Sequence, residues 1–270
     1  MIDKAALVVL SGGQDSTTCL FFARQYFNEV HAVTFDYGQR HSRELMAASD
    51  VAKIAGCASH EIIDLGSSVL KGMSPLTNAN EELETYKDYK SMSAVIGDRV
   101  EKTFVPMRNA LFLTLAANRA VCLGIDHVFT GVCQADNANY PDCRQSFIIA
   151  QQRAIREALG MSSKFTIHTP LMNMSKAESI KLVMSMDTAY TALAWTHTAY
   201  DGKYPPTGKD HASLLRAQGF LEAGVPDPLV LRAVFDGARE LPKTPNYSDH
   251  DTVELLMMRI TMLGLEKGIA

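Results

Sequence analysis

Six apolar residues run straight into a polar double-glycine turn and a helix-forming stretch at Ala5-Ala6-Leu7-Val8-Val9-Leu10-Ser11-Gly12-Gly13-Gln14-Asp15-Ser16-Thr17-Thr18, and this sequence constrains the chain more than any other. An unbroken apolar run of that length fits a strand buried on both faces, as in a parallel sheet covered by helices. Residues 16–27 read as a helix. Between the two, Gly12 and Gly13 allow backbone conformations and close approaches that a Cβ forbids, so successive N–H groups can point into one concavity. The helix that begins there adds its unpaired N–H groups and the positive end of its dipole, and the hydroxyls of Ser11, Ser16 and Thr17 add further hydrogen-bonding groups. The turn is expected to cradle phosphate. It is not a Walker loop, which needs a lysine after the glycines, nor a dinucleotide fingerprint, which needs a third glycine.

The rest of the chain supports an α/β fold. Strands are expected at residues 30–35, 60–65, 126–132 and 165–169, alternating with helices at 42–56, 110–123 and 145–159. Such alternation predicts a doubly wound, mostly parallel sheet. A further helix opens at Ser175 with a capping box to Glu178. From Tyr190 onward the chain becomes irregular, with a helix near residues 210–223, a Pro226-Asp227-Pro228 turn and a last helix over 249–267. We therefore expect a nucleotide-binding domain over residues 1–188 and a mainly helical region over 189–270. Residues 66–103 lose periodicity and read either as a lid or as a solvated connector. The apolar stripe Val253, Leu256, Met257, Ile260 and Leu263 must be covered by the body of the chain or by a second subunit.

Length and composition narrow the function. With 270 residues, 47% hydrophobic and 21% charged, and a net charge of −4, this is an ordinary globular chain suited to small-molecule chemistry and not to a general nucleic-acid surface. Met1 to Lys4 leave no room for a leader before the first strand, and no apolar run reaches membrane-spanning length, so a cytoplasmic protein is expected. The five cysteines, at 19, 57, 122, 133 and 143, show no C-x-x-C spacing. Polar clusters stand where a parallel sheet puts its ligands, beyond the carboxyl ends of strands. These are Tyr37, Gln39, Arg40 and His41 after the second strand, and Asp136, Tyr140, Asp142 and Arg144 after the fourth. Arg108 and Asn109, at the start of a helix, suit phosphate binding or capping. Lys176 is placed either to neutralise a phosphate or to face solvent.

Taken together, S-G-G-Q-D-S-T-T, D-Y-G-Q-R-H, V-P-M-R-N, G-V-x-x-x-D-x-x-x-Y-P-D-C-R, P-L-x-x-x-S-K and L-L-R-x-x-G-F-x-x-A-G-V-P-D-P resemble, in order, the 7-cyano-7-deazaguanine synthase (QueC) family of N-type ATP pyrophosphatases. The resemblance spans about Leu7 to Pro228, and the tail is longer than the family leads one to expect. It implies a pyrophosphate-loop (PP-loop) α/β fold and an enzyme, a ligase that uses ATP to convert 7-carboxy-7-deazaguanine and ammonia into the amide and then the nitrile. Adenylated intermediates, AMP plus pyrophosphate as products, Mg2+ and a homodimer are implied with it. On this basis Ser11, Asp15, Ser16 and Lys176 are candidate catalytic residues. Ser11, Gly12, Gly13, Asp15, Ser16, Thr17, Arg108 and Asn109 are expected on the nucleotide, and Tyr37, Gln39, Arg40, His41, Asp136, Tyr140, Asp142 and Arg144 on the deazapurine.

One departure stands out. The family's four zinc cysteines fall at Ala199, Thr207, Asp210 and Ser213, while Tyr200, Gly208 and Arg216 stay in register. Thiolates hold such a zinc at about 2.3 Å, and these four side chains supply none, so no structural zinc is expected. His197, Asp210 and His211 lack ligand spacing and are expected to face solvent or bond locally. Pro205 and Pro206, with packing of Trp195, Tyr200 and Tyr204, are expected to hold the segment instead. Three alternatives remain open: an enzyme that stops at the amide, one that adenylates another carboxylate, and a non-catalytic nucleotide-binding homologue.

Overall fold

The computed structural model describes residues 2–39, 42–72, 74–78, 80–134, 139–160, 164–186 and 188–269, with the backbone alone at 2–4. Five parallel strands, β1 (Ile2–Val9), β2 (Phe27–Asp36), β3 (Ser59–Asp64), β4 (His127–Phe129) and β5 (Thr166–His168), lie in the order β3-β2-β1-β4-β5. The strand order reverses on either side of β1, which opens a crevice beyond the carboxyl ends of β1 and β4, the position at which such sheets bind ligands.

The helices are α1 (Gln14–Tyr26), α2 (Arg43–Ala55), α3 (Tyr89–Ile96), α4 (Arg108–Cys122), α5 (Gln145–Leu159), α6 (Lys176–Met184), the short α7 (Ala189–Ala192), α8 (His211–Ala223), α9 (Pro228–Phe235) and α10 (His250–Lys267). The period of two along β1 divides its side chains between two cores. Ala6, Val8 and Leu10 join Leu20 of α1, Val51 of α2, Ile180 of α6 and Leu256 of α10 on one face. Leu7 joins Leu113 of α4, Ile155 of α5 and Phe165 on the other. Covering both faces explains why the strand reads as a continuous apolar run.

Several boundaries differ from expectation. The strands β4 and β5 are three residues each, shorter than their apolar runs, because the chain leaves the ladder at Thr130, whose N–H still reaches the His168 carbonyl at 3.0 Å. Helix α9 starts at the last residue of the Pro226-Asp227-Pro228 turn, with the Asp227 side chain capping it at Leu229. Within 66–103 lies α3, opened by a reciprocal Asp88–Ser91 capping box. Its Met92 and Ile96 pack with Tyr86 and Leu214 of α8, and the Tyr86 N–H donates to the Lys209 carbonyl at 2.8 Å. The stripe on α10 is covered by its own chain: Val253, Leu256, Ile260 and Leu263 are buried in the core shared with α1 and β1. Among the described residues no helix is long and apolar enough to cross a membrane.

Candidate active site

The double-glycine turn closes on itself through its own polar groups. The Ser11 N–H donates to Ser16 Oγ at 3.1 Å, the two serine hydroxyls lie 3.0 Å apart, and the hydroxyls of Ser16 and Thr17 donate to the Gly13 carbonyl at 3.2 and 2.8 Å. Gly12 sits at φ +80°, and a Cβ there would come within 2.4 Å of the Glu44 carbonyl oxygen and 2.7 Å of the Ala48 nitrogen on α2. From the other side, a Cβ on Gly131 would meet the Asp15 carbonyl carbon and the Ser16 nitrogen at 2.8 Å. The loop is thus held between α2 and the exit of β4, with space for neither side chain.

Lys176, the first residue of α6, directs its ammonium to both Asp15 carboxylate oxygens, at 3.0 and 2.8 Å. This settles its placement: it faces the loop and not solvent. The reciprocal Ser175–Glu178 capping box fixes the start of α6. Gly219 of α8 leaves the path of the lysine side chain open, since a Cβ there would lie 2.5 Å from Lys176 Cγ.

Loop and lysine border one cavity of about 480 Å³. Of the residues expected in the site, Ser11, Gly13, Asp15, Ser16, Tyr37, Gln39, Arg108, Asn109, Tyr140, Arg144 and Lys176 line it. Gly12, Thr17 and Asp142 do not. Thr17 is fully buried and shapes the loop through Gly13. Asp142, expected on the substrate, is buried and accepts the Asn109 N–H at 3.2 Å, satisfying the start of α4. Arg40, His41 and Asp136 lie outside the described residues. Arg108 reaches the Tyr37 hydroxyl at 3.4 Å, and Phe112 stacks on Phe35 at 4.4 Å beside Tyr37. The Tyr140 hydroxyl is held by Thr103 at 2.5 Å and by buried Glu101 at 3.3 Å, and its ring packs against Phe104 at 5.4 Å.

Other lining residues had no local signature. Glu44, on the first turn of α2, has its carboxyl pushed up to about 7 by burial, with Arg108 pulling the other way. Gln14 is 2% exposed, and neither of its amide atoms has a partner among the described residues. His197 and His211, expected to face solvent or bond locally, are 6% and 4% exposed; His197 bonds the Ala199 backbone, and the Nε2 atom of each has no partner among the described residues. Arg216 forms a buried two-point pair with Asp227 at 2.7 and 2.8 Å and also holds Thr196 and Thr198, bracing the floor of the cavity.

The donors at the four positions that match the family's zinc cysteines do not suit the metal. Ala199 is a buried methyl group, and Thr207 is taken up by Asp201 through its N–H and its hydroxyl, at 2.9 and 2.5 Å. Asp210 caps α8 by accepting the Ser213 N–H and hydroxyl at 3.0 and 2.7 Å. Among the described residues no group of three or more His, Cys, Asp or Glu side chains is arranged to hold a metal ion.

Residues 5–224 match the family described as queuosine biosynthesis protein QueC. The chain is 50% identical over 229 residues to a 7-cyano-7-deazaguanine synthase from Gloeobacter violaceus, an alignment that covers 84% of this chain and 95% of that one. It is 47% identical over 233 residues to the enzyme of the same name from Chromobacterium violaceum, covering 85% of this chain and 94% of the other.

Proposed function

The chain belongs to the queuosine biosynthesis protein QueC family, and from that premise we propose that it uses ATP to convert 7-carboxy-7-deazaguanine and ammonia into 7-cyano-7-deazaguanine by way of the amide. The observation that carries this reading is a shared cavity. The glycine loop and Lys176 open into the same space as Arg108, Arg144, Tyr37 and the Phe35–Phe112 stack. One end suits a polyanion, and the other a flat ring bearing a carboxylate.

A carboxylate is a poor electrophile at neutral pH. In the proposed first half, a carboxylate oxygen attacks the α-phosphorus of ATP, and pyrophosphate leaves with the electron pair of the broken P–O bond. The loop N–H groups and Lys176 offset the charge that develops there. Ammonia then adds to the acyl carbon and loses a proton, and AMP departs with the former carboxylate oxygen. In the second half the amide oxygen attacks the α-phosphorus of a second ATP and displaces pyrophosphate, and loss of AMP together with two N–H protons leaves the nitrile. Side-chain acid–base chemistry contributes little, and the enzyme acts mainly by positioning. Mg2+ enters with the triphosphate, and Asp15 is the carboxylate at the loop that would hold it. Residues 1–188 carry the nucleotide in this reading, while 189–270 close one side of the cavity through His197, Tyr200 and His211.

Product mass with 7-carboxy-7-deazaguanine, ATP and ammonium tests the reading. Nitrile with AMP supports it, amide alone moves the assignment to an enzyme that stops halfway, and no turnover contradicts it. A homodimer belongs to the same reading. After its buried stripe is covered, α10 still exposes Leu255, Met258, Met262 and Leu265 on one side, a surface suited to a second copy, and light scattering on the full chain should return twice the chain mass.

A further inference from the structure

We propose that His197 and His211 are additional phosphate contacts, a wall of the pyrophosphate site contributed by the C-terminal part of the chain. The inference rests on the reading of the glycine loop as a phosphate cradle. His197 is fastened to that loop: its backbone N–H donates to the Gly12 carbonyl at 2.8 Å, and its own carbonyl lies 3.7 Å from where a Cβ on Gly13 would be. Its ring is also hydrogen-bonded to the backbone of Ala199, which fixes the imidazole while Nε2 remains without a partner. His211, the first residue of α8, is likewise buried with Nε2 unpartnered. Both residues line the cavity that contains Ser11, Asp15 and Lys176.

A buried ring nitrogen without a partner is unfavourable, so two of them on one cavity wall point to a ligand that completes them. The glycine loop beside them indicates an anion. Arg43, Arg216 and Asp201 act electrostatically on His197, and Lys176, Glu101 and Asp210 on His211. Arg216 is already matched by Asp227, and Lys176 lies against Asp15, so a polyanion on the loop needs further donors. Burial pushes both imidazoles below the ordinary histidine range. An adjacent phosphate favours the imidazolium, which donates from both ring nitrogens.

The test measures binding of inorganic pyrophosphate and of AMP by calorimetry, with thermal melting, for the parent, His197→Leu, His211→Leu, the corresponding glutamine variants and Ser16→Ala. Each leucine variant should weaken pyrophosphate by about tenfold or more, keep the parent's affinity for AMP, and melt no lower than the parent, since an unpartnered polar group has been removed. Glutamine should restore part of the loss. Unchanged pyrophosphate affinity in both leucine variants overturns the proposal, as does an equal loss for AMP and pyrophosphate, which would indicate a structural role. If Ser16→Ala alone weakens pyrophosphate, only the histidine assignment fails. If the parent binds no pyrophosphate, the cradle reading fails with it.

Discussion

Glu44 is a residue whose ionisation should be visible in the stability of the protein. Its carboxyl is raised from 4.5 to about 7 in the folded chain, so the folded state holds a proton that the unfolded state has already released across this range. The contribution of Glu44 therefore falls as pH rises from about 4.5 to about 7 and levels off above it, while buried His168 and His197, both lowered to about 4, contribute in the opposite direction. Glu44→Gln removes that loss: its melting temperature should match the parent near pH 5 and exceed it near pH 8, and parallel profiles would show that Glu44 is not desolvated. The same residue shows what the sequence could not reveal. An acid on the first turn of a helix is indistinguishable from one that merely favours the dipole, and only the fold brings Glu44 to Arg108. The turn built by Ser11, Asp15 and Ser16 was legible because loop, strand and helix adjoin in the chain. The bond from Asp142 to the start of α4 was not, because a polar loop residue that caps a neighbouring helix looks in the sequence like one that binds ligand.

At the scale of elements, the crossing of α6 and α8 decides where the lysine ammonium stands. Gly219→Ala would drive a methyl group into the Lys176 side chain. Helix propensity alone should make that change mildly stabilising, yet AMP formation should fall at least tenfold as the ammonium leaves the loop. An alanine variant with full activity would show that α6 yields without consequence. The Ala199–Ser213 segment is tied together by its own side chains. Asp201 binds Thr207, Asp210 caps α8, and Arg232 lies over Trp195 and Tyr204 at 5.5 and 5.3 Å. Elemental analysis of untagged protein should find no stoichiometric zinc, and chelator should leave the melting temperature unchanged. Trp195→Ala, which empties a site only 4% exposed, should cost about 3–5 kcal/mol. Near one zinc per chain would contradict this account. The replaced positions were readable because their spacing is intact. The bonds that took over were not, since Asp201 has no motif of its own.

For the molecule as a whole, alternating strands and helices were enough to anticipate a parallel sheet open at β1, and with it the side on which the site lies. What escaped was the way the C-terminal helices complete it. Helix α9 follows a proline-rich turn that gives no helical signal until Asp227 is seen to cap it, and α10 returns to the core around β1 instead of leaving its stripe for a partner. That closure puts the phosphate loop, Lys176 and the aromatic wall around a single cavity, and the central claim is that the carboxylate is activated there by transfer of an adenylyl group. The direct measurement is turnover of 7-carboxy-7-deazaguanine labelled with oxygen-18 in both carboxylate positions, followed by mass spectrometry of the nucleotide products. The account predicts that the label appears in the phosphate of AMP, one atom per AMP released, with unlabelled pyrophosphate. Label in inorganic phosphate with ADP as the nucleotide product would contradict it.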